Sequence, residues 1–179
     1  MNHGKISIRY ARALYEYALE HREDKPVYAD MQLLARTAAE VKGMTVFLAN
    51  PAAGRQDKLN LLLEAAGGKK ACATTRRFLE FVLDKNREGS IQMIALMYAK
   101  LYREKNHIRL GKVTSAVELP AKTLEKISAF IGDNYHVSVE MSTQIDPSVI
   151  GGFILDIDDN RFDASISGQL QKLNNYAGH

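Results

Sequence analysis

Sulfur chemistry is nearly absent from this chain. Cys72 is the only cysteine, which excludes an internal disulfide and any cysteine-based metal cage. No apolar run approaches the roughly 20 residues needed to span a bilayer. The opening Met1-Asn2-His3-Gly4-Lys5 has no signal-peptide apolar core. These absences lead us to expect a protein that stays on the cytoplasmic side of whatever membrane it meets. The chain also lacks internal repeats and low-complexity segments. None of the five histidines (His3, His21, His107, His136, His179) pairs with another at metal-ligand spacing. Neither Ser148 nor Ser165 lies in a Gly-x-Ser-x-Gly elbow, so a serine nucleophile of that type is excluded.

What is present is an ordinary globular composition with an uneven charge. Hydrophobic residues make up 46% and charged residues 25% of 179. The net charge is +3, but residues 1–105 carry 18 Lys+Arg against 12 Asp+Glu, and residues 106–179 carry 6 against 9. A sign change between halves points to two units with different partners. Neither value is large enough to name nucleic acid or membrane as the partner.

The hydrophobic period changes at the same place. In 1–105 it is helical. Tyr10, Leu14, Tyr17 and Ala18 recur at three- and four-residue spacing over Ile6 to His21, and Lys25-Pro26 breaks that helix. A second helix runs from Val27 to about Lys42. A short apolar piece, Met44 to Leu48, stops at Asn50-Pro51, because the residue before proline disfavours the helical region. Gln56 to Ala66, Ala71 to Lys85 and a stripe from Gly89 to about Asn106 complete roughly six helices, a bundle. In 106–179, Ile108 to Val117 is β-branched, and Leu119-Pro120 opens a helix. Val137, Val139, Met141, Thr143 and Ile145 alternate with polar residues as a half-buried strand does. Another strand, a turn near Asp159-Asn160 and a last helix from about Ser165 follow. The expected class is α+β: an N-terminal six-helix bundle (1–105) and a small C-terminal strand-helix-strand-strand-helix domain (106–179).

Five features could carry chemistry. In Val149-Ile150-Gly151-Gly152-Phe153-Ile154-Leu155, two glycines interrupt an apolar run after the turn signal Asp146-Pro147. A phosphate site would need more glycines and a helix directly after them. Here a strand follows, with Phe153, Leu155 and Ile157 on one face. Gly151 and Gly152 therefore read as structural: a bend or a close backbone approach. The following stretch, Asp156 to Asp163, reads as acidic and looped. Asp156, Asp158 and Asn160 match three positions of a calcium loop, but Arg161 and Ser167 stand where glycine and glutamate are required, so a solvated hairpin turn rich in Asp and Asn is preferred. Lys69-Lys70 and Arg76-Arg77 are too few basic residues for a nucleic-acid surface, and Phe78 and Phe81 beside them read more simply as core. Cys72, between Ala71 and Ala73, reads as a small helix residue rather than a nucleophile. In the first helix, Tyr10, Ala11, Leu14, Tyr15, Tyr17 and Ala18 cover more than one stripe. That arc is either all core or a surface for a partner helix, and the pattern alone favours neither.

Taken in order, these segments resemble one family. Arg9-Tyr10-Ala11-Arg12-Ala13-Leu14 followed by Ala18 is similar to the opening helix of the delta subunit of bacterial ATP synthases, relatives of the mitochondrial oligomycin-sensitivity-conferring protein. Asn50-Pro51 before Lys58-Leu59-x-x-Leu62-Leu63, Phe78-Leu79-x-x-Val82-Leu83 leading to Asn86-Arg87, and Val113-Thr114-Ser115-Ala116 agree with it. So do Asp146-Pro147-Ser148-Val149-Ile150-Gly151-Gly152-Phe153 and Asp163-x-Ser165-x-x-x-x-Leu170-x-x-Leu173. The resemblance covers nearly the whole chain. It departs at Asp156, Asp158 and the Ser167–Gln169 region, where relatives carry basic, amide or glycine residues, so the C-terminal surface here is more acidic.

The resemblance implies a subunit without catalytic residues, cofactor or metal. It implies a bundle that binds the N-terminal helices of the alpha subunits of the catalytic head, with the first and fifth helices as the principal groove. It also implies a C-terminal domain that meets the end of the b subunits. Such a protein is a stator: it sits peripherally at the cytoplasmic face of the membrane and resists torque while protons drive ATP synthesis. The expected groove residues, from the wide apolar arc and the match on both segments, are Tyr10, Ala11, Leu14, Phe78 and Val82. No nucleic acid and no membrane insertion are expected. The alternative from the residues alone is a helical regulatory or nucleic-acid-binding protein with an α+β ligand domain.

Overall fold

The computed structural model describes residues 3–135, 137–158 and 160–165. The chain divides into two compact units, Met1–Glu104 and Lys105–His179.

The first unit is helical: α1 (His3–Glu20), α2 (Asp24–Glu40), α3 (Lys42–Ala49), α4 (Arg55–Ala65), α5 (Ala73–Asp84) and α6 (Ile91–Lys105). Its core is the set of apolar side chains that recur at helical spacing, with Leu14, Met31, Leu34, Leu62, Leu79 and Ile94 all but closed to solvent. Tyr98 is buried with them, and its hydroxyl donates to the Asp24 carbonyl at 3.1 Å. That bond removes the penalty of a buried hydroxyl, while burial itself pushes the phenol pKa upward.

The helix ends follow from local chemistry. After α1, Arg22 adopts φ +57°, the Arg22 amide donates to Leu19 O, and the Glu23 amide donates to Ala18 O. After α5, Asn86 (φ +51°) donates to Leu83 O, and Arg87 donates to Val82 O. Both are Schellman closures, and asparagine tolerates the left-handed position better than most residues. Lys42 opens α3 at once, and Gly43 lies inside that helix. The start of α5 is held from a distance. Cys72 Sγ accepts the Thr75 amide at 3.4 Å, Asp30 of α2 accepts the Cys72 amide at 2.9 Å, and Glu23 accepts the Thr74 amide at 3.1 Å. Carboxylates suit the positive end of a helix, and those hydrogen bonds hold the Glu23 carboxyl below the usual range.

The second unit is a four-stranded sheet with one helix: β1 (Ile108–Ser115), α7 (Ala121–Tyr135), β2 (Ser138–Ile145), β3 (Phe153–Ile157) and β4 (Asn160–Asp163). The strand order is β2-β1-β3-β4. β1 and β2 are parallel, with α7 as the crossover that a parallel pair requires, and the other two pairings are antiparallel. Val113, Ile131 and Leu155 form the centre of its core, joined by Val139, Met141, Phe153 and Ile157. The far end of β2 is open, and Ile145 is 58% exposed.

The stretch from Asp156 to Asp163 holds the expected hairpin turn, and strand pairing runs on both sides of it where the acidic run reads as looped: Asp156 pairs with Arg161 and Ile157 with Asn160. Opposite charges lie across the strands. Arg161 Nε lies 3.8 Å from Asp156 Oδ1, and Arg109 Nη1 donates to Asp158 Oδ2 at 3.0 Å. The helix expected from about Ser165 lies outside the described residues.

Candidate partner-binding groove

In α1 the residues Tyr10, Ala13, Leu14 and Tyr17 stand at i, i+3, i+4 and i+7. In α5 the residues Thr74, Arg77, Phe78 and Phe81 repeat the same interval. One stripe of each helix therefore runs along its length. The two stripes face each other across an open trough of about 480 Å³, edged by Arg9. The helices are antiparallel there: Tyr10 meets Phe81 with ring centroids 5.9 Å apart, and Arg77 Nη1 donates to the Tyr17 hydroxyl at 2.6 Å. The Tyr17 ring is also stacked on His21 at 4.1 Å. Phe78 is nearly buried in the floor, whereas Phe81 is 46% exposed on the wall. Smaller apolar recesses lie between α1 and α6 and between α3 and α4, about 230 and 240 Å³.

Of the residues expected to line the groove, Tyr10, Leu14 and Phe78 do so. Ala11 and Val82 do not. Ala11 is 1% exposed and faces α6 beside Met97 and Leu101, and Val82 is wholly buried. The reason is angular: one residue along a helix turns the side chain by about 100°, so the neighbours of Tyr10 and Phe81 point elsewhere. Tyr17, part of the first-helix arc, also lines the groove, and so do Ala13, Thr74, Arg77 and Phe81, which are not among the expected lining residues. The repeated i, i+3, i+4, i+7 spacing is the signal for them. Phe81, expected in the core, is 46% exposed.

The glycine pair has its own geometry. Gly151 and Gly152 adopt φ of +65° and +73°, in the left-handed region that disfavours side chains. A Cβ on Gly152 would collide with the Ala164 carbonyl oxygen and lie 3.0 Å from Ser165 Cα. The preceding turn is closed by Asp146, whose Oδ1 accepts the Ser148 amide at 2.9 Å and its hydroxyl at 2.7 Å. Among the described residues no cluster of His, Cys, Asp and Glu could hold a metal ion.

Fold and groove together define a class: a two-unit α+β protein whose helical unit presents an apolar, aromatic trough lined at three- and four-residue spacing from two helices. The comparisons narrow it. The family described as ATP synthase delta (OSCP) subunit matches residues 6–176. The ATP synthase subunit delta of Bacteroides fragilis is 41% identical over 174 residues, covering 97% of this chain and 94% of that protein. That of Phocaeicola vulgatus is 36% identical over 170 residues, covering 95% and 92%. That of Flavobacterium psychrophilum is 32% identical over 173 residues, covering 97% of each. In fold, the chain is similar to a chain of the Toxoplasma gondii mitochondrial ATP synthase hexamer, with a TM-score of 0.63 at 20% identity and 97% of each chain covered. The chain belongs to the ATP synthase delta (OSCP) subunit family. It is a non-catalytic stator subunit of ATP synthase, which replaces the regulatory or nucleic-acid-binding alternative. It serves a membrane-bound complex, and none of its described helices is long and apolar enough to cross a membrane.

Proposed function

We propose that the bundle grips the catalytic head by taking the N-terminal helix of an alpha subunit into the α1/α5 groove, and that the C-terminal unit holds the end of the b subunits at the cytoplasmic face. The groove carries this reading. Its apolar floor of Leu14 and Phe78 and its walls of Tyr10, Tyr17 and Phe81 leave apolar area that a single helix would cover. A rigid aromatic surface binds with little loss of side-chain entropy, and a stator needs a slow-releasing contact more than a fast one.

The direct test is to titrate the full chain with a peptide of the alpha subunit's N-terminus. Ala13 is exposed and lies in the groove wall, so Ala13→Lys fills the trough without entering the core. We expect at least about tenfold weaker binding, about 1.4 kcal/mol, with the helical circular dichroism unchanged. Equal affinity for wild type and Ala13→Lys would overturn the assignment. The buried Ala11 is the wrong position for this experiment, because a long charged chain there would disrupt the contact with α6.

A further inference from the structure

The α1/α5 groove is apolar in its floor and cationic at both ends. Its lining contains Arg9 and Arg77 and no carboxylate. At the Tyr10–Phe81 end, the Arg9 guanidinium lies 5.9 Å from the Tyr10 ring centroid and Lys85 Nζ lies 5.7 Å from the Phe81 centroid. At the other end, Arg77 is fixed by its hydrogen bond to the Tyr17 hydroxyl. The recess beyond it adds Lys69 and Arg76 against Glu23 and Glu80. Glu23 stays ionised against the Thr74 amide, so the recess adds no net charge and Arg77 carries the cationic character of this end. A cation laid on an aromatic face or fixed by a hydroxyl is preorganised, so less entropy is lost when it meets an anion.

The geometry points to a specific occupant. Resting on the reading that this groove docks a helix, we infer that it selects an amphipathic helix with a carboxylate at each end of its apolar stripe. The spacing follows from α1, which runs along the groove. Eight residues separate Arg9 from Tyr17, the anchor of Arg77, and at 1.5 Å per residue that is about 12 Å. The two carboxylates of the partner helix therefore lie about seven or eight residues apart, with apolar anchors between them. The apolar residues supply the affinity and the carboxylates set the register along the trough.

Three synthetic helical peptides test this on the full chain. They share apolar anchors at i+3 and i+4 and carry either two Glu, two Gln or two Lys at i and i+7. Fluorescence anisotropy at low salt is expected to rank them Glu, Gln, Lys, with about threefold to tenfold between the first two, the effect of two partly exposed ion pairs. The gap should shrink as salt rises. Arg77→Gln should close about half of the Glu–Gln gap, and Arg77→Glu, which leaves Arg9 and Lys85 at the other end, should bring the Glu and Lys peptides to similar affinity. Arg77 is exposed, so the bundle tolerates both changes. If the alpha-subunit peptide binds wild type but the three synthetic peptides bind equally, the charge selection is wrong and the docking site stands. If neither the alpha-subunit peptide nor any synthetic peptide binds, both readings fall.

Discussion

Phe81 and Val82 are adjacent on α5, yet they should behave oppositely when a helix docks. Phe81 is 46% exposed on the groove wall and Val82 is wholly buried. Phe81→Ala removes a ring with roughly 200 Å² of surface, of which the exposed 46% is about 90 Å² available to a partner. At about 25 cal/mol per Å² that is at most about 2 kcal/mol, or about thirtyfold in Kd. Incomplete coverage lowers the expected loss toward fivefold. The part of Phe81 already packed on the bundle, including its contact with Tyr10, contributes to folding, so this variant should also lose up to about 2 kcal/mol of stability. Val82→Ala removes two methyl groups from a filled core and should cost a similar ~2 kcal/mol of stability. It touches nothing that a docked helix would touch. The two variants are therefore matched in destabilisation and differ only in binding. Thermal denaturation followed by circular dichroism measures the first quantity, and calorimetric titration with the alpha-subunit peptide measures the second. If both variants weaken the peptide equally at a temperature where both are folded, the α1/α5 groove is not the docking surface.

Three further outcomes are expected. Gly152→Val should destabilise the C-terminal unit by at least about 2 kcal/mol, because a side chain is strained at φ +73° and meets the Ala164 carbonyl. Amide exchange should rise in β3 and β4 while the bundle keeps its affinity for the alpha peptide, and calorimetry of the wild type with ATP should show no heat; a micromolar nucleotide site would refute the structural reading of the glycines. The segment 1–105 should fold by itself with a helical spectrum, since roughly 100 residues can bury an adequate core, and a disordered spectrum would count against a boundary there. The Glu23 carboxyl is held below its ordinary value by the Thr74 hydrogen bonds; its contribution to stability is thus fully present above the unfolded-state value and is lost as pH falls through the folded-state one. Wild type should accordingly lose melting temperature on acidification more steeply than Glu23→Gln, and parallel acid limbs would show that the Glu23 charge contributes nothing to the start of α5.

Much of the architecture is written locally. The three- and four-residue recurrence from Tyr10 to Ala18, the stop at Asn50-Pro51, the αL-tolerant Asn86 and the alternation from Val137 to Met141 each act within a few residues. Their elements can therefore be read without knowing the partners. The same holds for Phe153, Leu155 and Ile157, whose common face is a consequence of strand pleating and which do share the core with Val113. What the residues do not encode locally is which part of an apolar arc another element covers. Ala11 and Ala13 are chemically alike, and so in apolar character are Phe81 and Val82. Only the placement of α5 and α6 against α1 leaves Ala13 and Phe81 open and seals Ala11 and Val82. The charge pairing of the acidic hairpin is the same case. Asp156 disfavours a strand on its own, and register brings Arg161 opposite it; Asp158 sits in the turn at φ +48°, where Arg109 of β1 reaches it. Periodicity sets the identity of an element, because it depends on neighbours in the chain. Exposure and charge pairing depend on neighbours in space, so the open groove and the ion pairs of the hairpin were decided only by the tertiary structure.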